Sequence, residues 1–168
     1  TSIVPTLDCA FTCKLAISTN NKMEAQVVEQ WISKAKKQQS IIDAMTRPAE
    51  GKDWYQYRPI FMTSKRIEQG VKFWNKYTNA LSKAEKKYGV PAQMIVAIIG
   101  VETFYGRIKG NYKVLDALYS LGFHYPKRGQ FFRNELAKYF TLVKQQNWLV
   151  ESAKGSYAGA MGYGQFIP

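Results

Sequence analysis

Residues 91 to 106, PAQMIVAIIGVETFYG, constrain what this chain can fold into more than any other stretch. Pro91 stands where a helix can open, and Met94, Ile95, Val96, Ile98, Ile99 and Val101 follow with almost no polar face between them. A helix that is apolar nearly all round has to be packed on several sides, so the segment predicts a central helix over about 92–104. One carboxylate interrupts the run. Met94, Ile95, Ile98 and Glu102 share a stripe, because residues three and four apart are neighbours on a helix. Apolar surroundings and the partial negative charge at a helix C-terminus both disfavour an ionised carboxyl group. Two readings of Glu102 stand on the residues alone. It is either a group that hydrogen-bonds across helices or faces solvent, or a buried acid that holds a proton for use in catalysis.

The rest of the chain is patterned for helices. Apolar positions recur at helical spacing from Glu24 through Val28, Trp31, Ile32 and Ala35, and a short helix is expected around Ile41 to Met45, ended before Pro48. Between them and the next helix, RPAEGKDWYQYRP reads as an aromatic-rich loop with Pro and Gly as breakers. Thr63 and Ser64 are both acceptable N-caps for a long helix whose apolar face carries Ile67, Val71, Trp74, Leu81, Ala84 and Tyr88, with Gly89 as its C-cap. Further helices are predicted near 114–121 and 130–145, the latter marked by Phe132, Leu136, Tyr139 or Phe140, and Val143. No alternating strand pattern or Asn-Gly hairpin is present, so the fold class is all-α. The final SYAGAMGYGQFIP is dense in Gly and Ala, which suits a helix packed very close to a neighbour.

With 168 residues, 46% of them hydrophobic and 14% aromatic, the chain is too apolar to remain disordered and is expected to form one domain. Its 24 Lys and Arg against 12 Asp and Glu, a formal +12, favour a polyanionic partner such as nucleic acid, an anionic membrane face or an acidic wall polymer. No apolar run approaches the ~20 residues that cross a bilayer. Cys9 and Cys13 are too few for a disulfide framework or a zinc site, and both a local bridge and two free thiols fit them. The surrounding TLDCAFTCKLAI has the character of neither a signal peptide nor a lipid-attachment site, so membrane anchoring is not supported.

Several long motifs occur in one order: YGVPAQMIVAIIGVETFYGR, then LDALYSLGFHYPKRGQFF, then KGSYAGAMGYGQFIP, preceded by WYQYRPIFMTSKRIEQGVKFW. Together they closely resemble the soluble and membrane-bound lytic transglycosylases of the B type, over roughly residues 25 to 168. The resemblance implies a lysozyme-like helical domain, of which 24–168 form the N-terminal portion. It leaves 1–23 as an uncovered arm. The family's chain continues past the point where this one stops, so the chain is expected to be a fragment. The implied reaction is cleavage of the β-1,4 bond between N-acetylmuramic acid and N-acetylglucosamine in peptidoglycan, at the bacterial envelope or periplasm.

Glu102 matches the family's single catalytic acid and base. Among binding residues, the resemblance implies that Gln165 lies near the bond that is cut, that Ser156 and Tyr157 line the glycan groove, and that Tyr57 stacks on a sugar. Lys127 and Arg128 match a basic pair that meets peptide carboxylates, although an Arg is expected at 127 and Lys loses its bidentate geometry. His124, the only histidine, is read as structural. No Asp-rich calcium loop is present, and no metal or cofactor is expected. Two other readings compete. One is a truncated or inactive peptidoglycan-binding module, a partner of other cell-wall enzymes. The other is a nucleic-acid-binding domain, which only the charge supports and which no recognised motif accompanies.

Overall fold

The computed structural model describes residues 24–47 and 53–168, so the arm expected over 1–23, with Cys9 and Cys13, lies outside the described residues. In chain order the elements are α1 (Ala25–Ser33), α2 (Gln39–Thr46), α3 (Trp54–Phe61), α4 (Ser64–Tyr88), α5 (Ala92–Thr103), β1 (Tyr112–Lys113), α6 (Val114–His124), a 3₁₀ turn (Pro126–Arg128), α7 (Gly129–Gln146) and β2 (Lys154–Gly155). The all-α expectation holds apart from this two-residue ladder, which is too short to leave an alternating pattern in the sequence. The chain divides into two compact units. One holds the described residues up to Arg47 with Gly110–Met161 and Phe166–Pro168, and the other holds those up to Lys109 with Gly162–Gln165.

In the first unit α6 is the central element. Val114, Leu115, Ala117, Leu118 and Leu121 are wholly buried, and α7 brings Phe132, Leu136, Tyr139, Phe140 and Val143 against them. Both Tyr139 and Phe140 face this core, where only one was expected. Val28 of α1 and Ile41 of α2 complete it, and Trp31 meets the Phe140 ring edge-on with centroids 5.3 Å apart. Asp116 and Ser120 of α6 are buried as well, and both are hydrogen-bonded. Asp116 Oδ1 accepts the Lys36 backbone N–H at 2.9 Å, its Oδ2 accepts from Gln38 Nε2 at 3.4 Å, and Ser120 Oγ accepts the Gln38 N–H at 2.9 Å. These bonds tie the segment between α1 and α2 onto the core. Burial also pushes the Tyr139 phenol up to about 12, and its hydroxyl donates to the Val150 carbonyl at 2.7 Å.

The C-terminal stretch of this unit is not the close-packed helix expected of its composition. Gly155 pairs with Tyr112 in the antiparallel ladder, and Met161 bridges both Gly155 and Phe166. The glycines serve turns: Gly159 has φ 82°, and Gly110 at φ 86° lies so close to β2 that a Cβ there would sit 2.0 Å from the Gly155 carbonyl oxygen.

In the second unit α4 and α5 pack together across the connection 89–91. Gly89 takes the left-handed C-cap (φ 68°) and donates to the Glu85 carbonyl at 2.8 Å, while Thr63 Oγ1 accepts the Arg66 N–H at the other end of α4. Pro91 is the N-cap of α5, one place before the position expected of it. The buried side of α4 carries Gly70 and Leu81, with Phe73, Trp74 and Tyr77 packed against that cluster. Ile67, Val71 and Tyr88 from the expected face are exposed. The helix also bends at Tyr77 (φ −114°, ψ 18°), beside Thr78, whose hydroxyl reaches back to the Trp74 and Asn75 carbonyls. Residues 54–59, within the stretch expected as loop, belong to α3. Trp54, Tyr57 and Phe61 fall at helical spacing and their rings touch in sequence, a pattern masked by the internal Pro59.

Helix α5 departs most from expectation. Ala92, Val96, Gly100 and Thr103 are buried on one side, but Met94, Ile98 and Val101 are 52%, 51% and 46% exposed. It is a half-packed helix with an apolar outer face.

The buried Asp116 gives a direct check on the first unit. Asp116→Ala removes the acceptor for the Lys36 N–H and the Gln38 amide, and denaturant unfolding is expected to show a loss of about 1–3 kcal/mol. An unchanged midpoint would mean that the α1–α2 segment is held by other contacts.

Candidate active site

Glu102 lies in the last turn of α5, on the exposed side of the helix. The expectation of a carboxyl group buried among Met94, Ile95 and Ile98 is therefore corrected: the stripe exists, but Met94 and Ile98 face outward with it. What surrounds this turn is an unusual chain reversal. Phe104, Tyr105 and Gly106 are all left-handed, with φ of 49°, 59° and 82°. Two consecutive non-glycine residues in that region are costly, and such strain gathers at functional sites.

Packing explains how the reversal is held. The Tyr105 phenol folds back to where α4 and α5 touch, at two glycines. A Cβ on Gly70 would lie 2.5 Å from the Tyr105 hydroxyl, and one on Gly100 would lie 2.7 Å from it. Phe104 turns the other way, into two guanidinium groups: Arg66 lies 4.8 Å and Arg107 5.7 Å from its ring centre. Arg66 also stacks on Phe61 at 4.9 Å and donates to the Gly100 carbonyl, one of the helix-end acceptors that would otherwise lack a partner. Arg107 donates to Gln69 Oε1 at 2.7 Å. Cations at a helix C-terminus offset its partial negative charge.

Thr103, next to Glu102, is wholly buried. Its hydroxyl accepts the Gly106 N–H at 2.9 Å and stands 2.9 Å from the Tyr163 carbonyl oxygen. The segment Gly162–Gln165 is thereby attached to the end of α5. Gln165 itself is left-handed (φ 51°), and its amide donates to the Gly162 carbonyl at 3.0 Å and the Lys109 carbonyl at 3.3 Å. Glu102, Gln165 and Tyr57 thus belong to one compact unit. Tyr57 is 41% exposed, and its ring lies between those of Phe61 and Trp54 in the chain of contacts, with centroids 4.8 Å and 6.5 Å away.

The other residues singled out by the sequence belong to the first unit. Lys127 and Arg128 are exposed on the 3₁₀ turn, and the Arg128 guanidinium lies over Phe131 at 4.4 Å and Phe132 at 5.5 Å, which orients its donors. Tyr157 is exposed. Ser156 is half-buried, and its hydroxyl already accepts the Ala160 N–H at 3.1 Å and the Ala158 N–H at 3.3 Å, so it shapes its turn whatever else it meets. Arg66 and Thr103 had no signal in the sequence, because their partners lie in residues distant along the chain. A groove of about 340 Å³ beside α5 is lined by Phe73, Tyr77, Leu81, Ile95, Ile99 and Tyr163 among others, and holds no carboxylate. Its lining is mostly apolar, with the phenols of Tyr77 and Tyr163 as its polar groups.

His124 is half-buried, with Tyr119 edge-on at 5.7 Å. Burial, and secondarily the positive charge of Lys37, hold its imidazole below the ordinary value of 6.5.

Residues 13–168 match the family described as "Transglycosylase SLT domain". The chain is 40% identical over 155 residues to membrane-bound lytic murein transglycosylase B of Escherichia coli (strain K12), covering 86% of this chain and 43% of that protein. It is similar to the crystal structure of the soluble lytic transglycosylase SltB1 from Pseudomonas aeruginosa, with a TM-score of 0.89 and 47% identity over 94% of this chain and 54% of that one. The fold is shared also with SltB3 of the same organism, solved with NAG-NAM-pentapeptide, at a TM-score of 0.84, 23% identity, and coverage of 98% and 44%. The chain spans about half the length of these relatives.

His124 gives the pH test. The unfolded chain binds this proton more readily than the folded one, so stability is complete above pH 6.5 and falls as pH drops below it toward the lowered folded value. Thermal midpoints measured from pH 8 to 5.5 should fall less for His124→Gln than for the parent. Parallel curves would remove the imidazole as a contributor.

Proposed function

The chain belongs to the transglycosylase SLT domain family, and from that premise we propose that it carries the acid–base part of a peptidoglycan lytic transglycosylase. The carrying observation is the position of Glu102 at a strained, tightly braced helix end to which the Gln165 segment is hydrogen-bonded. Residues 24–168 are then the portion of the catalytic domain that holds the acid.

The reaction assigned to this end of α5 has two proton transfers. Glu102 donates its proton to the glycosidic oxygen as the bond from muramic acid C1 breaks, and the substrate's own N-acetyl group stabilises the positive charge that develops. The resulting carboxylate takes the proton from the muramic O6, which attacks C1. A 1,6-anhydro end forms and no water is consumed. Most glycosidases need a second carboxylate for a nucleophile or for activating water. An internal hydroxyl removes that need.

Exposure of Glu102 means that the protein's own interior does not supply the desolvation this chemistry uses. A glycan laid over the Met94, Ile98 and Val101 face would exclude water there, disfavour the carboxylate and favour the proton that the first step transfers. Tyr57 is the stacking platform, and Gln165, whose amide hydrogens go to the Gly162 and Lys109 carbonyls, offers its amide oxygen to a sugar hydroxyl near the scissile bond. Lys127 and Arg128 supply positive charge for peptide carboxylates, with Ser156 and Tyr157 along the glycan. Two further observations are consistent with an envelope location and a wall polymer as partner: murein transglycosylase relatives and a +12 charge. Among the described residues no helix is long and apolar enough to cross a membrane.

Mass spectrometry of muropeptides released from purified peptidoglycan tests the reading. Anhydro-ended products are expected from the parent chain, and Glu102→Gln should reduce them by at least ~100-fold, the usual weight of a general acid–base group. Hydrolysed, non-anhydro ends would keep a glycosidase and reject the lytic step. Absence of release with retained sedimentation on peptidoglycan would leave a glycan-binding module.

A further inference from the structure

Resting on the roles just given to Glu102 and Gln165, we propose that Thr103 is a positioning residue whose hydroxyl holds the Gln165 segment in place on the helix of the acid. The Thr103 hydroxyl has a single hydrogen to donate. Its oxygen accepts from Gly106 N at 2.9 Å, and two carbonyls lie within reach of its one hydrogen: Tyr163 at 2.9 Å and Ile99 at 3.2 Å. Ile99 is the usual back-bonding partner of a helical threonine, four residues earlier. That carbonyl already accepts the Tyr105 N–H at 3.2 Å, so the nearer Tyr163 oxygen is the better claimant. The result is a bond between residues 60 positions apart, made by a side chain with no exposed surface.

The neighbouring geometry makes this bond a locating device for the whole Gly162–Gln165 segment. The Tyr163 ring lies over Gly106, where a Cβ would come within 2.0 Å of a ring carbon, and Lys109 Nζ lies 5.3 Å above the same ring. Two residues later the Gln165 amide closes onto the Gly162 and Lys109 carbonyls. Thr103 therefore holds the segment at Tyr163, and the Lys109 carbonyl holds it at Gln165. Since Thr103 follows Glu102 directly, one buried hydroxyl sets the acid and the amide on a common frame. Buried groups that lose such a partner cannot turn to water, so the frame is sensitive to that single atom.

Thr103→Val keeps the shape and removes the hydroxyl, and Thr103→Ser keeps the hydroxyl. Two readouts are taken on each. In solution NMR, Thr103→Val should move the Gln165 side-chain amide resonances and raise the exchange rate of the Gly106 N–H on the order of tenfold, whereas Thr103→Ser should match the parent in both. In anhydro-muropeptide release from soluble glycan strands, Thr103→Val should lower kcat about tenfold with KM within about twofold, and Thr103→Ser should recover kcat to within about twofold. If the parent releases no anhydro product, the proposed activity falls, and the NMR comparison alone decides the role of Thr103. Unmoved Gln165 resonances in Thr103→Val would overturn it. So would a Thr103→Ser variant as impaired as Thr103→Val, because filling of space would then be what matters. Should Thr103→Val fail to fold, Thr103→Cys, with a weak S–H donor, replaces it under the same expectations.

Discussion

The end of α5 depends on a close contact between two glycines and a phenol. Gly70 and Gly100 remove the side chains that would separate α4 from α5, and the Tyr105 hydroxyl occupies the space they leave. Filling that space requires the chain to reverse immediately after the helix, through left-handed Phe104, Tyr105 and Gly106. Left-handed non-glycine residues cost roughly 1–3 kcal/mol each, so the reversal persists only because packing over-determines it. The reversal also arranges the contacts around this helix end. It aims the Gly106 N–H at Thr103, leaves room for the Tyr163 ring, and presents Phe104 to Arg66 and Arg107.

Rigidity and solvation are divided at this helix end. The backbone beneath Glu102 is held by side-chain hydrogen bonds, two stacked guanidinium groups and a buried threonine, yet the carboxylate side of the helix faces outward among apolar residues. Positioning and desolvation are separable contributions to acid catalysis. The protein supplies the first at this helix end, and in the proposed reaction the occupant of the outer face supplies the second. The basic residues have an analogous arrangement. Arg128 is oriented by Phe131 and Phe132 but remains exposed.

Much of the helix content was legible because capping and periodicity are local. Thr63 and Gly89 bound α4 as their side-chain chemistry predicts, and Phe132, Leu136 and Val143 mark the buried face of α7. The failures have physical causes as well. Pro59 disguised α3, although Trp54, Tyr57 and Phe61 kept helical spacing. The burial of Asp116 and Ser120 on α6 has no local sign, since a buried polar group is tolerated once it is bonded and its partners at 36 and 38 are not visible from its neighbours. The Gly-rich end was read as a helix, but positive φ at Gly159 and Gly162 puts those glycines to use in turns.

Sequence alone determined the helical class, through local periodicity, and the family resemblance, through several long motifs in one order; that resemblance is what singled out Glu102. Hydrophobicity identified α5 as a helix with apolar sides but did not say which of those sides would be covered. That depended on where Gly70 allowed α4 to approach, and the tertiary structure left the Met94 and Ile98 side, with Glu102 on it, facing outward. The link from Thr103 to Tyr163 was likewise decided only by the fold. A hydroxyl carries no sign in sequence of which distant carbonyl it will meet, and only a backbone bent through three left-handed residues brings the two within 2.9 Å.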